Sequence, residues 1–199
     1  MSTRTRQFVN HVKSHLREYG MRLISGRGLT VNLNTGGRAD GYFCDREKVI
    51  RFGNENKNWL STLVHEYGHF LQWIDSSTYS HEKDHTACYI VDEYLFNNTP
   101  SELLAWAFHR VRTYERDCEI RSLKLIREWR LPIKEKTYIR NANMYVYSYY
   151  VMETYGEWNP FSISPYTKRS VMKLIPSNFR AKSNSIFPIR IKRKLLSCR

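Results

Sequence analysis

The most constraining feature of this chain is the pattern H-E-x-x-H at residues 65–69, set inside an apolar run. Two histidines four residues apart lie on one face of a helix, so both imidazoles can reach a single metal ion. Glu66 lies about 100° round the helix, where its carboxylate reaches a metal-bound water rather than the metal. Zinc lowers the pKa of such a water to about 7, and a carboxylate can then remove its proton. The pattern predicts a zinc hydrolase site with His65 and His69 as ligands and Glu66 as catalytic base.

The residues around this motif predict the helix that it requires. Apolar side chains recur there at helical spacing and form one continuous stripe. The members of this stripe are Leu60, Leu63, Val64, Tyr67, Leu71 and Ile74. Asn58 stands at the start as a cap, and the polar run 75–77 follows the end. We therefore expect a buried helix that carries the two histidines and the carboxylate.

A second H-E-x-x-H occurs sixteen residues later, at residues 81–85. Its variable positions are charged, and serine and threonine surround it. This composition is typical of a solvated loop, because it offers nothing with which a helix could pack on a core. We interpret the second motif as a chance match.

The net charge of +13 is concentrated towards the C-terminus. No acidic residue follows Glu157, whereas ten of the 32 lysines and arginines do. We divide the chain into a domain of residues 1–176 and a basic tail of residues 177–199. Such a tail either binds nucleic acid or another polyanion, or stays solvated and disordered. It contains no motif that reads bases.

Length and composition predict a single domain. A chain of 199 residues with 41% hydrophobic residues can bury one substantial core, and no low-complexity linker divides it. No run approaches the roughly 18 apolar residues of a transmembrane segment, and the N-terminus does not resemble a signal peptide. The four cysteines are scattered and include no C-x-x-C pair, so we predict neither disulfides nor a thiolate zinc site. We expect a cytoplasmic protein.

The order of predicted elements is that of an α+β fold. An N-terminal amphipathic helix ends near Gly20, and short apolar runs broken by glycine follow it. These runs predict a small antiparallel sheet with strands near 29–33, 41–44 and 48–53. The strand at 48–52 directly precedes the H-E-x-x-H helix, and we expect an extended peptide to bind along its edge.

Two long helices are predicted after residue 98. The run Thr99-Pro100-Ser101-Glu102 has the form of a capping box and opens a helix to about residue 130. A further helix spans about 136–155, and its tyrosines at 145–150 are candidates for stabilising an oxyanion, as is His109. The first of these two helices also carries the candidates for a third zinc ligand.

A third zinc ligand is needed, because a catalytic zinc takes three protein ligands and leaves a fourth position open. Glu115 is the only charged residue on the apolar face of the long helix, and a buried carboxylate is costly unless it is paired or bound to a metal. We predict Glu115 as this ligand, with a salt bridge to Arg112 or Arg116 as the alternative. Glu119, one turn along, can accept the second N–H of a ligand histidine.

These two motifs together resemble the glutamate-zincins, in which E-x-x-A-[DN] or E-x-x-C-N follows H-E-x-x-H on a later helix. The run Glu115-Arg116-Asp117-Cys118-Glu119 matches that pattern, with Glu115 in the ligand position and Cys118 in the small-residue position. The chain is distantly similar to the ImmA/IrrE-like metallopeptidases. It resembles more closely the uncharacterised zinc metallopeptidases of bacteriophages and large viruses.

The resemblance implies a zincin-like fold, a Zn²⁺ cofactor, a protein or peptide substrate and, for a viral protein, the host cytoplasm. Arg121-Ser122 replaces the aromatic-alanine pair that is common in the ImmA/IrrE group, so repressor cleavage is not implied. Two other functions remain open. In the first, His85 is the third ligand, as in SprT-like proteases that clear DNA-bound proteins. In the second, the chain is a non-catalytic nucleic-acid-binding viral protein.

Overall fold

A computed structural model describes residues 1–33, 37–75, 81–158, 161–179 and 189–198. The elements run α1 Thr3–Glu18, β1 Arg22–Gly26, β2 Val31–Asn32, β3 Arg38–Ala39, β4 Gly41–Cys44, β5 Val49–Gly53, α2 Trp59–Ile74, α3 His81–Asn97, α4 Leu104–Glu128, α5 Glu135–Tyr155, α6 Arg169–Met172 and α7 Ile189–Leu196. The predicted α+β class is confirmed, with more helix than strand.

The chain forms two compact units. The first comprises Met1–Tyr79 and Arg121–Ile133, and the second comprises Ser80–Ile120 and Lys134–Arg199. The first unit holds the strands with α1, α2 and the end of α4, and the second holds the remaining helices. The border at residue 120 falls within α4, so this helix contributes to both units.

The sheet of the first unit is mixed, with the order β1-β5-β4. β4 and β5 pair antiparallel as predicted. β1 was not predicted as a strand, and it pairs parallel with β5, so the prediction of a purely antiparallel sheet is wrong. The chain between β1 and β5 forms a crossover connection, so β5 runs in the same direction as β1. β2 and β3 form a separate antiparallel pair. Because β5 is central and paired on both sides, the predicted peptide-binding edge at 48–52 is also wrong.

The H-E-x-x-H helix packs directly on this sheet. α2 begins after Asn58 as predicted, although the Asn58 side chain makes no capping hydrogen bond, and it contacts β4 and β5. Gly41 in β4 permits the close approach. A Cβ atom on Gly41 would lie 2.6 Å from Cγ2 of Thr62 and 2.8 Å from the carbonyl oxygen of Arg51. The sheet therefore fixes the position of the H-E-x-x-H helix.

A hydrogen-bonded cluster ties α1 to the opposite face of α2. The hydroxyl of Tyr67 lies 2.6 Å from Nδ1 of His15 and 3.1 Å from Nε2 of His11. Burial, followed by the charge of His15, lowers the pKa of His11, and burial raises the pKa of Tyr67. Residue 67 lies on the side of α2 opposite residues 65 and 69. The cluster thus fixes the rotation of α2 about its own axis.

The second H-E-x-x-H motif is helical, and the prediction of a solvated loop there is wrong. Residues 81–85 form the first turns of α3, whose buried residues Ala87, Val91 and Leu95 recur every four positions. Asp84, from the motif itself, is buried and forms an ion pair with Arg110 at 2.5 Å and 2.9 Å. The loop interpretation considered only the motif and its polar neighbours, and the apolar stripe that makes this segment helical begins after the motif.

The boundaries of the two long helices agree with prediction at three of their four ends. α4 begins at Leu104 instead of at the predicted capping box, because the Ser101 hydroxyl accepts the Leu103 N–H at 3.2 Å and forms the turn before the helix. α4 then ends at Glu128, and α5 spans Glu135–Tyr155. Gly156, with φ +66°, ends α5 in the left-handed region that favours glycine.

The described part of the basic tail belongs to the core of the second unit. In α7, Ile191 and Leu195 are fully or almost fully buried, as is Cys198 after it. They pack against side chains of α5 and α6, namely Met144, Tyr147, Val151 and Val171. Residues 189–198 thus pack one face into a core, and residues 180–188 and 199 of the tail lie outside the described residues.

Leu195→Ala is expected to destabilise the protein by roughly 2–5 kcal/mol, because it leaves a cavity in this core. Leu174→Ala is the matched control, since Leu174 is 41% exposed and should cost much less. The measurement is urea denaturation followed by circular dichroism. Equal, small losses in both variants would contradict the packing of α7.

In the described residues no helix is long and apolar enough to cross a membrane.

Candidate metal centre

Two imidazole nitrogens converge on one side of α2. Nε2 of His65 and Nε2 of His69 lie 3.1 Å apart, and the two rings are nearly perpendicular, at 86°. Tetrahedral zinc with Zn–N bonds of 2.0–2.1 Å places two ligand nitrogens about 3.3 Å apart. The observed separation is within a few tenths of an ångström of that value. The pair therefore fits a zinc ion in both atom type and spacing.

His69 is held in the orientation that a metal ligand needs. Its Nδ1 lies 2.9 Å from Oε1 of Gln72, and Gln72 is only 2% exposed. Because an amide oxygen can only accept, Nδ1 carries the proton and Nε2 keeps its lone pair for a metal. The sequence prediction missed Gln72. The signal in the sequence was an amide side chain three residues after His69, about one turn further along the predicted helix.

Glu66 lies between the two histidines in the chain and is itself buried. It occupies α2 together with them, so the backbone of one helix sets all three positions. Helix geometry puts this carboxylate about 100° round α2 from His65, off the face that carries the two imidazoles. Its role as catalytic base remains a prediction.

α4 reaches α2 through a serine. The hydroxyl of Ser122 donates to the carbonyl oxygen of Val64 at 3.2 Å, and both groups are buried. Cys118 lies one turn before Ser122 on the same face of α4. The ligand atoms of His65, His69 and Cys118 all lie within 4.8 Å of one another. A thiolate is a zinc ligand, so the structure brings together a ligand set that the sequence prediction did not include.

Glu115, the predicted third ligand, lies three residues before Cys118 and is buried. Its negative charge affects the pKa values of two other residues of the second unit. Burial raises the pKa of the Cys88 thiol to about 12, and the negative charge of Glu115 is the next cause. The pKa of Tyr149 is raised for the same two reasons.

Glu119 is buried and accepts a short hydrogen bond from the Tyr138 hydroxyl of α5. Both residues belong to the second unit, so this bond joins α4 to α5 within it. For His69 the acceptor is Gln72, so the predicted role of Glu119 as acceptor from a ligand histidine remains a prediction for His65 alone.

The other predicted candidates lie on the helices of the second unit. His85 is half-buried on α3, and His109 is exposed on α4. Of the tyrosines at 145–150, the hydroxyls of Tyr145 and Tyr149 lie 3.0 Å apart. Among the described residues, His65, His69 and Cys118 form the group of ligand-bearing side chains close enough to share one metal ion.

Comparison of the chain with models of protein families, with curated proteins and with solved structures finds no match in any of the three. The residues of the site and their geometry are therefore what indicates a function. The resemblance to the glutamate-zincins remains an expectation from the two motifs.

Gln72→Leu is expected to weaken zinc affinity about 10- to 100-fold, because His69 loses the acceptor that fixes its ring and tautomer. Gln72→Glu is the control, since it keeps an acceptor of similar reach and should retain near-normal affinity. Competition with a chromogenic chelator gives the dissociation constants. An unchanged constant in Gln72→Leu would show that Gln72 does not position His69.

Proposed function

We propose that this protein is a zinc-dependent metallopeptidase. The observation that carries the proposal is the pair of Nε2 atoms of His65 and His69, 3.1 Å apart, with buried Glu66 between the two residues. A structural zinc site closes all four positions and has no use for a base, whereas this helix supplies two ligands and a carboxylate. α4 supplies the third ligand. The second motif is our reason for choosing Glu115, and Cys118, which lies close to both histidines, is the alternative.

Each residue has a separate task in the proposed hydrolysis. His65, His69 and the ligand from α4 would hold the ion, and Gln72 keeps His69 in the binding tautomer. A bound zinc supplies a Lewis acid that polarises a carbonyl and makes water more acidic. Glu66 accepts the proton of the attacking water and returns it to the leaving amine. The burial of Glu66 keeps the proton transfer away from bulk water.

The experiment that tests this function is hydrolysis of a library of internally quenched peptides. We expect cleavage by the purified protein, loss of cleavage after treatment with a zinc chelator, and recovery when zinc is restored. Cleavage that persists after full removal of the metal would contradict the proposal. No cleavage of any peptide by the zinc-loaded protein would favour the non-catalytic alternative.

A polyanion partner is also supported, by the exposed face of α7. Arg190, Arg193 and Lys194 are exposed, while Ile191 and Leu195 on the same helix are buried. Arg169 and Lys173 at α6 are exposed as well, and the Lys168 ammonium joins α6 to α7 through the Ser197 carbonyl at 2.6 Å. These cations are held on a folded surface, which suits phosphate contacts.

Charge reversal at Arg193 and Lys194 is expected to weaken binding to single-stranded DNA. It should also reduce the slope of log K against log salt by roughly 0.7 for each lost phosphate contact. Both side chains are exposed, so the buried face of α7 is untouched. The same reversal at exposed Lys134 and Lys136 is the control. Fluorescence anisotropy over a salt series gives the slopes, and equal slopes in the two variants would exclude α7 as the contact surface.

A further inference from the structure

A cationic pocket lies between α4 and α5 in the second unit, and the proposed hydrolysis does not use it. α4 lines one wall with His109, Arg112 and Arg116, which recur every three or four residues on one face of the helix. α5 lines the other wall with side chains that include Tyr147 and Tyr150. No aspartate or glutamate is among the described lining residues. The ligand that suits such a pocket is therefore an anion.

Arg112 is held rigidly in this pocket. It is 8% exposed, its Nη1 donates to Oε2 of Glu153 at 2.6 Å, and its guanidinium carbon lies 4.0 Å from the ring centroid of Tyr150. The ion pair and the ring together fix the plane and direction of the guanidinium group. Its remaining N–H groups are thus aimed before any ligand arrives.

One of those groups has no acceptor. Nε of Arg112 is buried and makes no hydrogen bond to any atom of the described residues. Buried donors are nearly always satisfied, and a charged donor without an acceptor is especially costly. Asn143, which also lines the pocket, cannot relieve the deficit by turning, because its amide donates to the carbonyl oxygens of Pro176 at 2.9 Å and Asn178 at 3.1 Å.

We propose that this pocket binds a small oxyanion, a phosphate or carboxylate group, through Nε of Arg112 and the guanidinium group of Arg116. The two arginines are four residues apart on α4, so they lie about one turn, roughly 6 Å, from each other along the helix. At that spacing two guanidinium groups can converge on the oxygens of one ligand group. None of the proposed zinc ligands lines the pocket.

The test is isothermal titration of the full-length protein with sodium phosphate and, separately, with sodium acetate, at constant ionic strength. Wild type is expected to bind at least one of the two ions, and the arm that binds identifies the group. Arg112→Gln should weaken binding at least tenfold. Arg112→Lys should weaken it similarly, because lysine keeps the charge but has no N–H at the Nε position. Binding of neither ion by wild type overturns the proposal.

Two further variants keep the result interpretable. Arg116→Gln leaves the Arg112–Glu153 ion pair in place and should also weaken binding tenfold, so it tests the pocket even if Arg112→Gln does not fold. Arg140→Gln removes an exposed arginine of α5 and should bind like wild type. Binding that survives in both pocket variants, or that falls equally in Arg140→Gln, places the ion elsewhere and overturns the proposal. Zinc content should be unchanged in all four variants.

Discussion

Glu66→Gln is expected to retain zinc and the folded structure yet lose peptide hydrolysis by roughly 10²- to 10⁴-fold, the range that a positioned general base contributes. The amide fills the same space as the carboxylate but cannot accept a proton from water. Because Glu66 lies outside the ligand set, metal binding should not change. The loss should therefore appear in kcat rather than in zinc content or in the unfolding transition.

The chain contains its own control for this variant. Glu82 is the glutamate of the second H-E-x-x-H motif and is exposed on α3. Glu82→Gln should hydrolyse the peptide library at the wild-type rate. Equal rates in wild type, Glu66→Gln and Glu82→Gln would mean that Glu66 is not the base, and the assignment as a peptidase would fail.

Glu115→Gln is expected to abolish zinc binding, because it removes an anionic ligand and leaves two neutral imidazoles to hold the ion. Cys118→Ser should keep zinc if the thiol only fills the small-residue position of the second motif. The two side chains lie three residues apart on α4, both buried, so their burial alone does not decide between them. Zinc content of the two variants decides.

The reverse pattern has a definite meaning. Loss of zinc in Cys118→Ser with retention in Glu115→Gln would assign the third position to the thiolate, in agreement with the proximity of Cys118 to the two histidines. His85→Ala completes the set. Loss of zinc in that variant, with retention in the other two, would favour the SprT-like alternative.

Local periodicity predicted what depends on one helix at a time. α2 and its buried face follow from apolar spacing, and the convergence of His65 and His69 follows from a separation of four residues. α5 was predicted within one residue of its observed start for the same reason. These features need no knowledge of the rest of the chain, because backbone geometry alone fixes which residues share a face.

Features that depend on distant residues were not predicted. The parallel pairing of β1 with β5 joins residues about 27 positions apart, and no local pattern encodes the direction of such a pair. The second motif looked like a loop because its polar residues were interpreted without the stripe of Ala87, Val91 and Leu95 that follows. The packing of α7 was not predicted, because the charges of the basic tail outnumber the few apolar residues that enter a core.

The candidate site was predicted in part for the same reason. Gln72 and Cys118 matter only through atoms brought close in space, the first by its bond to His69 and the second by its distance from both histidines. Neither residue belongs to H-E-x-x-H. A motif gives the ligands that one helix carries, and the acceptor that orients them has to be found from the packing.

The measurement that tests the central claim most directly is the zinc content of purified wild type and His69→Ala, determined by elemental mass spectrometry. His85→Ala, in the second motif, is the control. We expect about one zinc per chain in wild type and in His85→Ala, and essentially none in His69→Ala, because that variant removes the ligand that Gln72 orients. Zinc at the wild-type level in His69→Ala, or no zinc in the wild-type protein when it is supplied in excess, would contradict the account.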